Sequence, residues 1–248
     1  MRASLLDLTG IGKSFGAVRA LDGMDFSIGA AEVVGLMGDN GAGKSTLTKI
    51  IAGNFPPTEG TIRLEGSPVV FDRPAAARDA GIEVMYQDLA IAENLTAAAN
   101  VFLGREMHRR LGPLRMLDHK AMNKRAAELF RELKSETRAD DLVRFMSGGQ
   151  RQAVAIARTR LAKSKLVLMD EPTAAISVRQ VAEVLELIRR LRDSGTAVML
   201  ISHRMPDVFT VCDRVVVMRR GRKVADKAIA SSSPEEVTGL ITGAIEVA

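Results

Sequence analysis

Residues Gly38-Asp39-Asn40-Gly41-Ala42-Gly43-Lys44-Ser45-Thr46 carry the spacing G-x-x-x-x-G-K-[ST]. That spacing suits the grip of a nucleotide's phosphates. The glycines let the backbone turn tightly and aim its N–H groups inward. Lys44 supplies a point charge to the β- and γ-phosphates, and the Ser45 hydroxyl completes an Mg²⁺ shell. A helix starting there sets its positive end on the anion. The context agrees. The apolar run Val33-Val34-Gly35-Leu36-Met37 reads as a buried parallel strand and enters the loop directly. Lys44 to Ala52 reads as a helix, stopped by Gly53.

A second run, Leu166-Val167-Leu168-Met169-Asp170-Glu171, puts two adjacent carboxylates at the end of an apolar strand. Alone, such a pair reads as a solvated turn. Ligands of α/β sheets gather at the carboxyl ends of strands, however, and that is where the phosphate loop lies. Asp170 is then placed to hold the metal shell, and Glu171 to polarise or deprotonate the attacking water. A third motif, Ser147-Gly148-Gly149-Gln150, precedes the helical stretch Arg151–Leu161. It reads either as an anion site at a helix start or as an ordinary cap with glycine flexibility. As an anion site it would be the second in one chain, and one ATP has no obvious use for both within a monomer.

The remaining pattern supplies elements to hold these groups. Leu5–Thr9 and Met24–Ile28 are short runs of strand-like alternation. Residues of about 89–161 turn rich in Ala, Leu, Arg and Glu, with helical periodicity over Met122–Leu133, and read as a helical insertion. Ser177-Val178-Arg179-Gln180 and Ser233-Pro234-Glu235-Glu236 have capping-box spacing and open two further helices. In the first of these, Val181, Val184, Leu185, Ile188 and Leu191 form one apolar face, and Gly195 ends it. Ala197–Ile201 and Val215–Met218 are further buried strands. The alternation of strand and helix predicts α/β architecture with a largely parallel sheet.

The bulk properties narrow the class. The chain has 248 residues, 46% hydrophobic and 26% charged, as expected of a soluble globular protein of one large or two small domains. Cys212 is the only cysteine, so no internal disulfide forms and a reducing compartment fits. With no Trp and one Tyr, base-stacking platforms for nucleic acid are not expected. The net charge of +5 includes short clusters at His108-Arg109-Arg110 and Arg219–Lys223, which read as solvated faces. No apolar run is long enough to cross a bilayer, and the N-terminus lacks a secretory pattern. A cytoplasmic location is expected, with membrane association through a partner.

Over nearly its whole length the chain resembles the nucleotide-binding subunits of ABC transporters. The likeness rests on motifs in the family's order: the phosphate loop, Gln87 within Met85-Tyr86-Gln87-Asp88, Met146-Ser147-Gly148-Gly149-Gln150, Asp170-Glu171-Pro172-Thr173, and His203 within Ile201-Ser202-His203. The resemblance implies a P-loop NTPase (RecA-like) α/β core with a mainly parallel sheet, an N-terminal antiparallel β region and an inserted α-helical subdomain. It implies a single nucleotide-binding domain over residues 1–248, its core about 1–88 and 162–248, its helical part about 89–161. Two copies would face head to tail, each ATP held between one phosphate loop and the other copy's signature. Ser147, Gly148, Gly149 and Gln150 would then act in trans. Ser45, Gln87 and Asp170 would surround Mg²⁺, Gln87 would also touch the attacking water while its loop contacts the membrane subunit, Glu171 would be the base, and His203 would hold the γ-phosphate and organise Glu171. Phe15 would stack on adenine, or else serve the core.

Within the family, Glu93-Asn94-Leu95-Thr96, Val101–Glu106, Glu171–Ala175 and His203–Phe209 resemble the ATPases of bacterial ribose-, fructose- and xylose-type importers. The implied partners are a second ATPase subunit, an integral-membrane permease and, indirectly, a periplasmic sugar-binding protein, with the chain peripheral on the inner face of the cell membrane. Many relatives are fused pairs, and this chain is expected to be the single-domain form without a C-terminal regulatory domain. Two residues depart from the family pattern. Ser177 stands where an Asp is usual, and Met146 replaces the signature Leu, a volume-conserving change. An exporter subunit, or a soluble ATPase of this type acting on nucleic acid or ribosomes, is the alternative reading. The latter usually carries two ATPase domains or a long coiled-coil insertion.

Overall fold

The computed structural model describes residues 4–85, 89–112, 114–161, 164–174 and 176–245. In chain order the elements begin with β1 (Ser4–Phe15), β2 (Val18–Gly29), β3 (Val33–Met37), α1 (Lys44–Ile51), β4 (Glu59–Leu64), β5 (Ser67–Val69), α2 (Pro74–Asp79) and β6 (Ile82–Met85). There follow α3 (Ala97–Val101), β7 (His108–Leu111), β8 (Leu114–Leu117), α4 (His119–Glu132) and α5 (Gly148–Leu161). The chain continues through β9 (Leu166–Asp170), α6 (Val178–Asp193), β10 (Ala197–Ile201), α7 (Met205–Val211), β11 (Arg214–Arg219), β12 (Arg222–Ala228) and α8 (Pro234–Thr242).

The chain forms two compact units. The first comprises Met1–Val84, Ser164–Glu171 and Leu191–Ala248. Its main sheet has six strands in the order β12-β11-β3-β10-β9-β6. Strands β11, β3, β10 and β9 run parallel to one another, and β12 is antiparallel to β11. Every residue of β3 and β10 is buried, which explains why both read as unbroken apolar runs: a strand covered on both faces has no polar side to show. Gly35 in β3 is forced by packing, since a Cβ there would lie 2.7 Å from Cγ1 of Val208 on α7.

A second, antiparallel sheet has the order β2-β1-β4-β5. Its strands are longer than the sequence pattern suggests, because β1 and β2 each run for 12 residues. Gly10 and Gly23 sit at left-handed φ of 61° and 59° where the register shifts. These bulges carry the ladder across positions where the alternation is lost to the eye. Leu6, Ile11, Met24, Phe26 and Ile28 of this sheet join Val34, Leu36, Leu47, Ile50, Met199 and Val216 in one core.

The second unit comprises Met85–Lys163 and Pro172–Arg190. Helices α3, α4 and α5 form its body, with Ala98, Val101, Ala126, Leu129, Phe130, Val154 and Ile156 buried. Buried Asn100 ties the entering loop down, accepting from Ala92 N and donating to the carbonyls of Ala92 and Thr96. Residues 172–190, which the sequence reads as core, cluster with these helices. Part of the reason is visible: Arg190 Nη1 donates to Leu133 O at 2.8 Å, and Gln180 packs on Gly148 and Gly149. Residues 108–117, read within a helical stretch, form the β7–β8 hairpin instead, with Gly112 at φ 60° in the connection.

Candidate active site

Loop 38–43 leaves the carboxyl end of β3 and turns into α1. Three of its glycines, Gly38, Gly41 and Gly43, have φ of 152°, 81° and 104°. At two of them space forbids a side chain as well. A Cβ on Gly38 would lie 2.3 Å from Met218 O, and one on Gly43 would lie 2.9 Å from Ala20 O. Gly43 is the N-cap of α1 and makes no side-chain cap hydrogen bond. The N–H groups of the first helical turn, at Lys44, Ser45 and Thr46, are therefore not satisfied by a capping side chain, which is the arrangement an anion exploits. Lys44 curls over the loop, its Nζ donating to Gly38 O at 2.5 Å and to Asp39 O at 3.0 Å. Asp39 and Asn40 are exposed on the loop, and Ala42 is buried beneath it.

Strand register brings the carboxylates to the same edge. Ile201 of β10 pairs with Leu36 of β3 on one side and Asp170 of β9 on the other. The segments that follow these three strands, with Gly38, His203 and Glu171, thus leave the sheet at one level. Glu171 is 7% exposed and sits at φ 49°, a left-handed conformation that costs a non-glycine residue on the order of 1 kcal/mol. Its backbone N–H donates to Ile201 O at 2.9 Å. Its Oε1 accepts from His203 N at 3.1 Å and lies 2.6 Å from His203 Nδ1. Its Oε2 is buried and, among the described residues, has no hydrogen-bond partner.

Charge and desolvation are set against each other here. Burial pushes the Glu171 carboxyl above the usual carboxylate range, His203 opposes the rise, and Asp170 adds to it. Burial also raises Asp170, opposed by Lys44 and Lys49. Burial lowers Lys44, while Glu171, Asp39 and Asp170 hold its proton on. One lysine thus answers three carboxylates in a partly desolvated spot. A buried carboxylate oxygen without a donor is costly, and such orphans are a mark of functional sites. This one is suited to receive a proton from water.

Phe15, at the end of β1, is exposed. Its ring meets that of Phe55 edge-on, with centroids 5.3 Å apart, and Lys13 Nζ lies 5.4 Å and 4.8 Å from the two rings. Phe15 is therefore not a core residue. Phe55 escaped the sequence reading, since no periodicity or motif marks it. Gln87 lies outside the described residues.

In the second unit, Ser147 and Gln150 form a reciprocal capping box. Gln150 Oε1 accepts from Ser147 N at 3.0 Å, and Ser147 Oγ accepts from Gln150 N at 3.3 Å. Helix α5 starts at Gly148, three residues earlier than its apolar pattern indicates. Ser177 and Gln180 repeat the device at the start of α6. The signature glycines have a packing role that their spacing does not reveal. A Cβ on Gly148 would lie 3.0 Å from Ile176 Cγ2, and one on Gly149 would lie 3.1 Å from Gln180 Cγ. Beside them opens a cavity of about 520 Å³ lined by Ser147, Gly149, Gln150, Ser177, Gln180 and Arg190 among others. At the third predicted cap, Ser233 Oγ accepts from Glu236 N at 3.2 Å, but the Glu236 carboxylate turns to Lys227.

Known proteins resemble this chain in sequence and fold. The sequence pattern described as ABC transporter matches residues 21–174. The xylose/arabinose import ATP-binding protein XylG of Sulfolobus acidocaldarius is 43% identical, over 97% of this chain and 94% of its own length. The fructose import ATP-binding protein FrcA of Rhizobium meliloti is 44% identical, over 98% of this chain and 95% of its own. A nucleotide-free ATP-binding cassette from an ABC transporter superposes with a TM-score of 0.81 at 25% identity, covering 96% of this chain and 95% of that one.

Proposed function

The chain belongs to the ABC transporter family, and from that premise we propose that it binds and hydrolyses ATP to drive a sugar into the cell. The observation that carries the hydrolytic part is Glu171, strained and buried, with one carboxylate oxygen held by His203 and the other without a donor among the described residues. The sugar part rests on the 43–44% identity to import ATPases along nearly the full chain.

The first-turn N–H groups of α1 and the Lys44 amine receive the β- and γ-phosphates. Phe15 lies against the adenine, its ring free to stack. Ser45 and Asp170 offer the hard oxygen donors that Mg²⁺ takes, and a carboxylate raised by desolvation is one that a cation stabilises. These two residues, with Gln87, would hold the ion, which supplies charge neutralisation at the phosphates. His203 fixes Glu171, whose Oε2 accepts the proton of a water as the water oxygen bonds the γ-phosphorus. The bond between that phosphorus and the β–γ bridging oxygen breaks, leaving ADP and phosphate. Ser147, Gly148, Gly149 and Gln150 serve a second copy's ATP, so two copies complete two pockets. Closure on ATP and reopening after hydrolysis shift a permease between two states. The chain works on the inner face of the cell membrane, docked on that permease. Among the described residues no helix is long and apolar enough to cross a membrane.

The pairing of Glu171 with His203 has a pH signature. Burial raises the Glu171 pKa and the His203 contacts lower it. A base is lost as pH falls through its own pKa. His203→Ala removes a contact that favours the charged form, so the acid limb of the pH–rate profile is expected to move to higher pH. The limb is read from ATPase initial rates across a pH series, and an unmoved limb would detach His203 from the base.

The whole reading is tested by reconstitution. In vesicles with a sugar permease and sugar-binding protein from its own genome, the chain is expected to drive ATP-dependent sugar uptake. Sugar driven the opposite way, or transport indifferent to ATP, would overturn it.

A further inference from the structure

The ATP chemistry uses the loops of the first unit and the signature of the second, and it leaves the β7–β8 hairpin unexplained. Every described side chain from His108 to Arg110 and from Leu114 to Leu117 is exposed, so both faces of this two-stranded ribbon lie open. A lone hairpin in water is marginal at best, and this one spends apolar side chains on solvent. Leu114 is 63% exposed, Met116 43% and Leu117 42%. The segment from Arg105 to Lys120 holds five Lys or Arg and two Asp or Glu, in a chain whose whole net charge is +5.

The two acids in that segment are committed locally. Glu106 accepts from Gly104 N at 2.9 Å, and Asp118 caps α4 by accepting from Ala121 N at 2.9 Å. Among the described residues, Arg109, Arg110 and Arg115 have no ion-pair partner. The other basic cluster, Arg219–Lys223, behaves differently: Arg222 pairs with Asp22, and Lys223 lies 3.7 Å from Asp226. Among the described residues, the hairpin's three arginines stay unpaired, whereas two members of the other cluster are paired.

Cross-strand pairing mixes charge with apolar groups. Arg109 pairs with Met116, His108 with Leu117, and Leu114 stands next to the turn. Interleaved arginine and aliphatic side chains on an exposed ribbon suit an anionic bilayer surface. There the guanidinium groups stay at the headgroups while Leu and Met enter the acyl boundary. We propose that the β7–β8 hairpin is a direct contact for the anionic surface of a lipid bilayer, made by this chain itself and independent of ATP.

The test uses the full chain, without permease, co-sedimented with vesicles of phosphatidylcholine alone or mixed with phosphatidylglycerol. Binding is expected on the mixed vesicles only, falling as salt rises. Arg109→Gln, Arg110→Gln and Arg115→Gln together are expected to weaken it on the order of a hundredfold, about fivefold per arginine. Leu114→Ser with Met116→Ser weakens what remains at high salt. The hairpin variants should keep the parent's ATPase rate. Arg63→Gln, Arg138→Gln and Arg220→Gln remove the same charge elsewhere and should weaken binding far less. Equal loss in that control, no preference for phosphatidylglycerol, or full binding by the hairpin triple variant would each overturn the proposal. So would a hairpin triple variant that keeps vesicle binding yet no longer co-purifies with the permease, which would assign the hairpin to an acidic protein surface. A chain that binds vesicles but hydrolyses no ATP would fault the ATPase reading and leave this one standing.

Discussion

Glu171→Gln is expected to lower ATP turnover by about 10²–10⁴-fold, the span of general-base catalysis, while ATP binding survives. The amide keeps the length of the side chain and an oxygen that can accept from His203 N, now bonded to Glu171 Oε1 at 3.1 Å. It loses the ability to take a proton at the position of Oε2, the oxygen without a donor among the described residues. The fold should tolerate the change. Burial already disfavours the charged form of Glu171, so a neutral group removes a desolvation cost, and φ 49° strains Gln no more than Glu. Melting temperature is therefore expected to hold or rise. With binding intact and hydrolysis stopped, an ATP-held dimer should accumulate, visible by size-exclusion chromatography in ATP and absent in ADP. Undiminished turnover would remove Glu171 from the role of base.

The strength of that prediction comes from geometry that the sequence only half conveys. Asp170-Glu171 at the end of an apolar run is legible, because a doubly covered strand must be apolar and must stop at a polar edge. The phosphate loop is legible for a related reason. Gly38 and Gly43 are demanded by backbone approaches as close as that of Gly38 to Met218 O, and Gly41 by its left-handed φ of 81°. The left-handed backbone of Glu171 is a different matter. It is imposed by the tie of its N–H to Ile201 O and of its carboxylate to His203, partners more than 25 residues away that leave no local mark.

Helix caps follow the same division. Ser177 and Gln180 make the box their spacing foretells, because all its atoms lie within four residues. At Ser233 the box is half made, because distant Lys227 competes for the Glu236 carboxylate. The hairpin at residues 108–117 is misread for want of a core. Its described side chains are exposed, so its Arg, Leu and Met, all good helix formers, show neither strand alternation nor an apolar face. Phe55 is silent for a simpler reason: a single aromatic after a helix end is commonplace, and only its edge-on contact with Phe15 gives it meaning.

Lys44→Ala is expected to act on binding as well as on rate, which separates it from Glu171→Gln. Losing a charge-assisted hydrogen bond to the phosphates costs about 1.5–3 kcal/mol, or roughly ten- to a hundredfold in ATP affinity. A further loss in turnover, about 10²–10³-fold, follows because the same amine answers charge that grows in the transition state. The substitution does more than delete a contact. Glu171, Asp39 and Asp170 all hold the Lys44 proton on, so without it three carboxylates confront the incoming phosphates with less positive charge to offset them. Asp170 loses one of the two lysines that keep its carboxyl down and protonates more readily, which weakens it as a cation ligand. Lys44→Arg is not expected to rescue. The planar guanidinium cannot reproduce a compact amine folded back to 2.5 Å from Gly38 O. Titration with a fluorescent ATP analogue reads the affinity, single-turnover hydrolysis at saturating ATP reads the rate, and thermal denaturation checks the fold. Full affinity in a folded Lys44→Ala chain would mean that the loop's backbone N–H groups hold the phosphates alone, and that the lysine serves only the loop carbonyls it touches here.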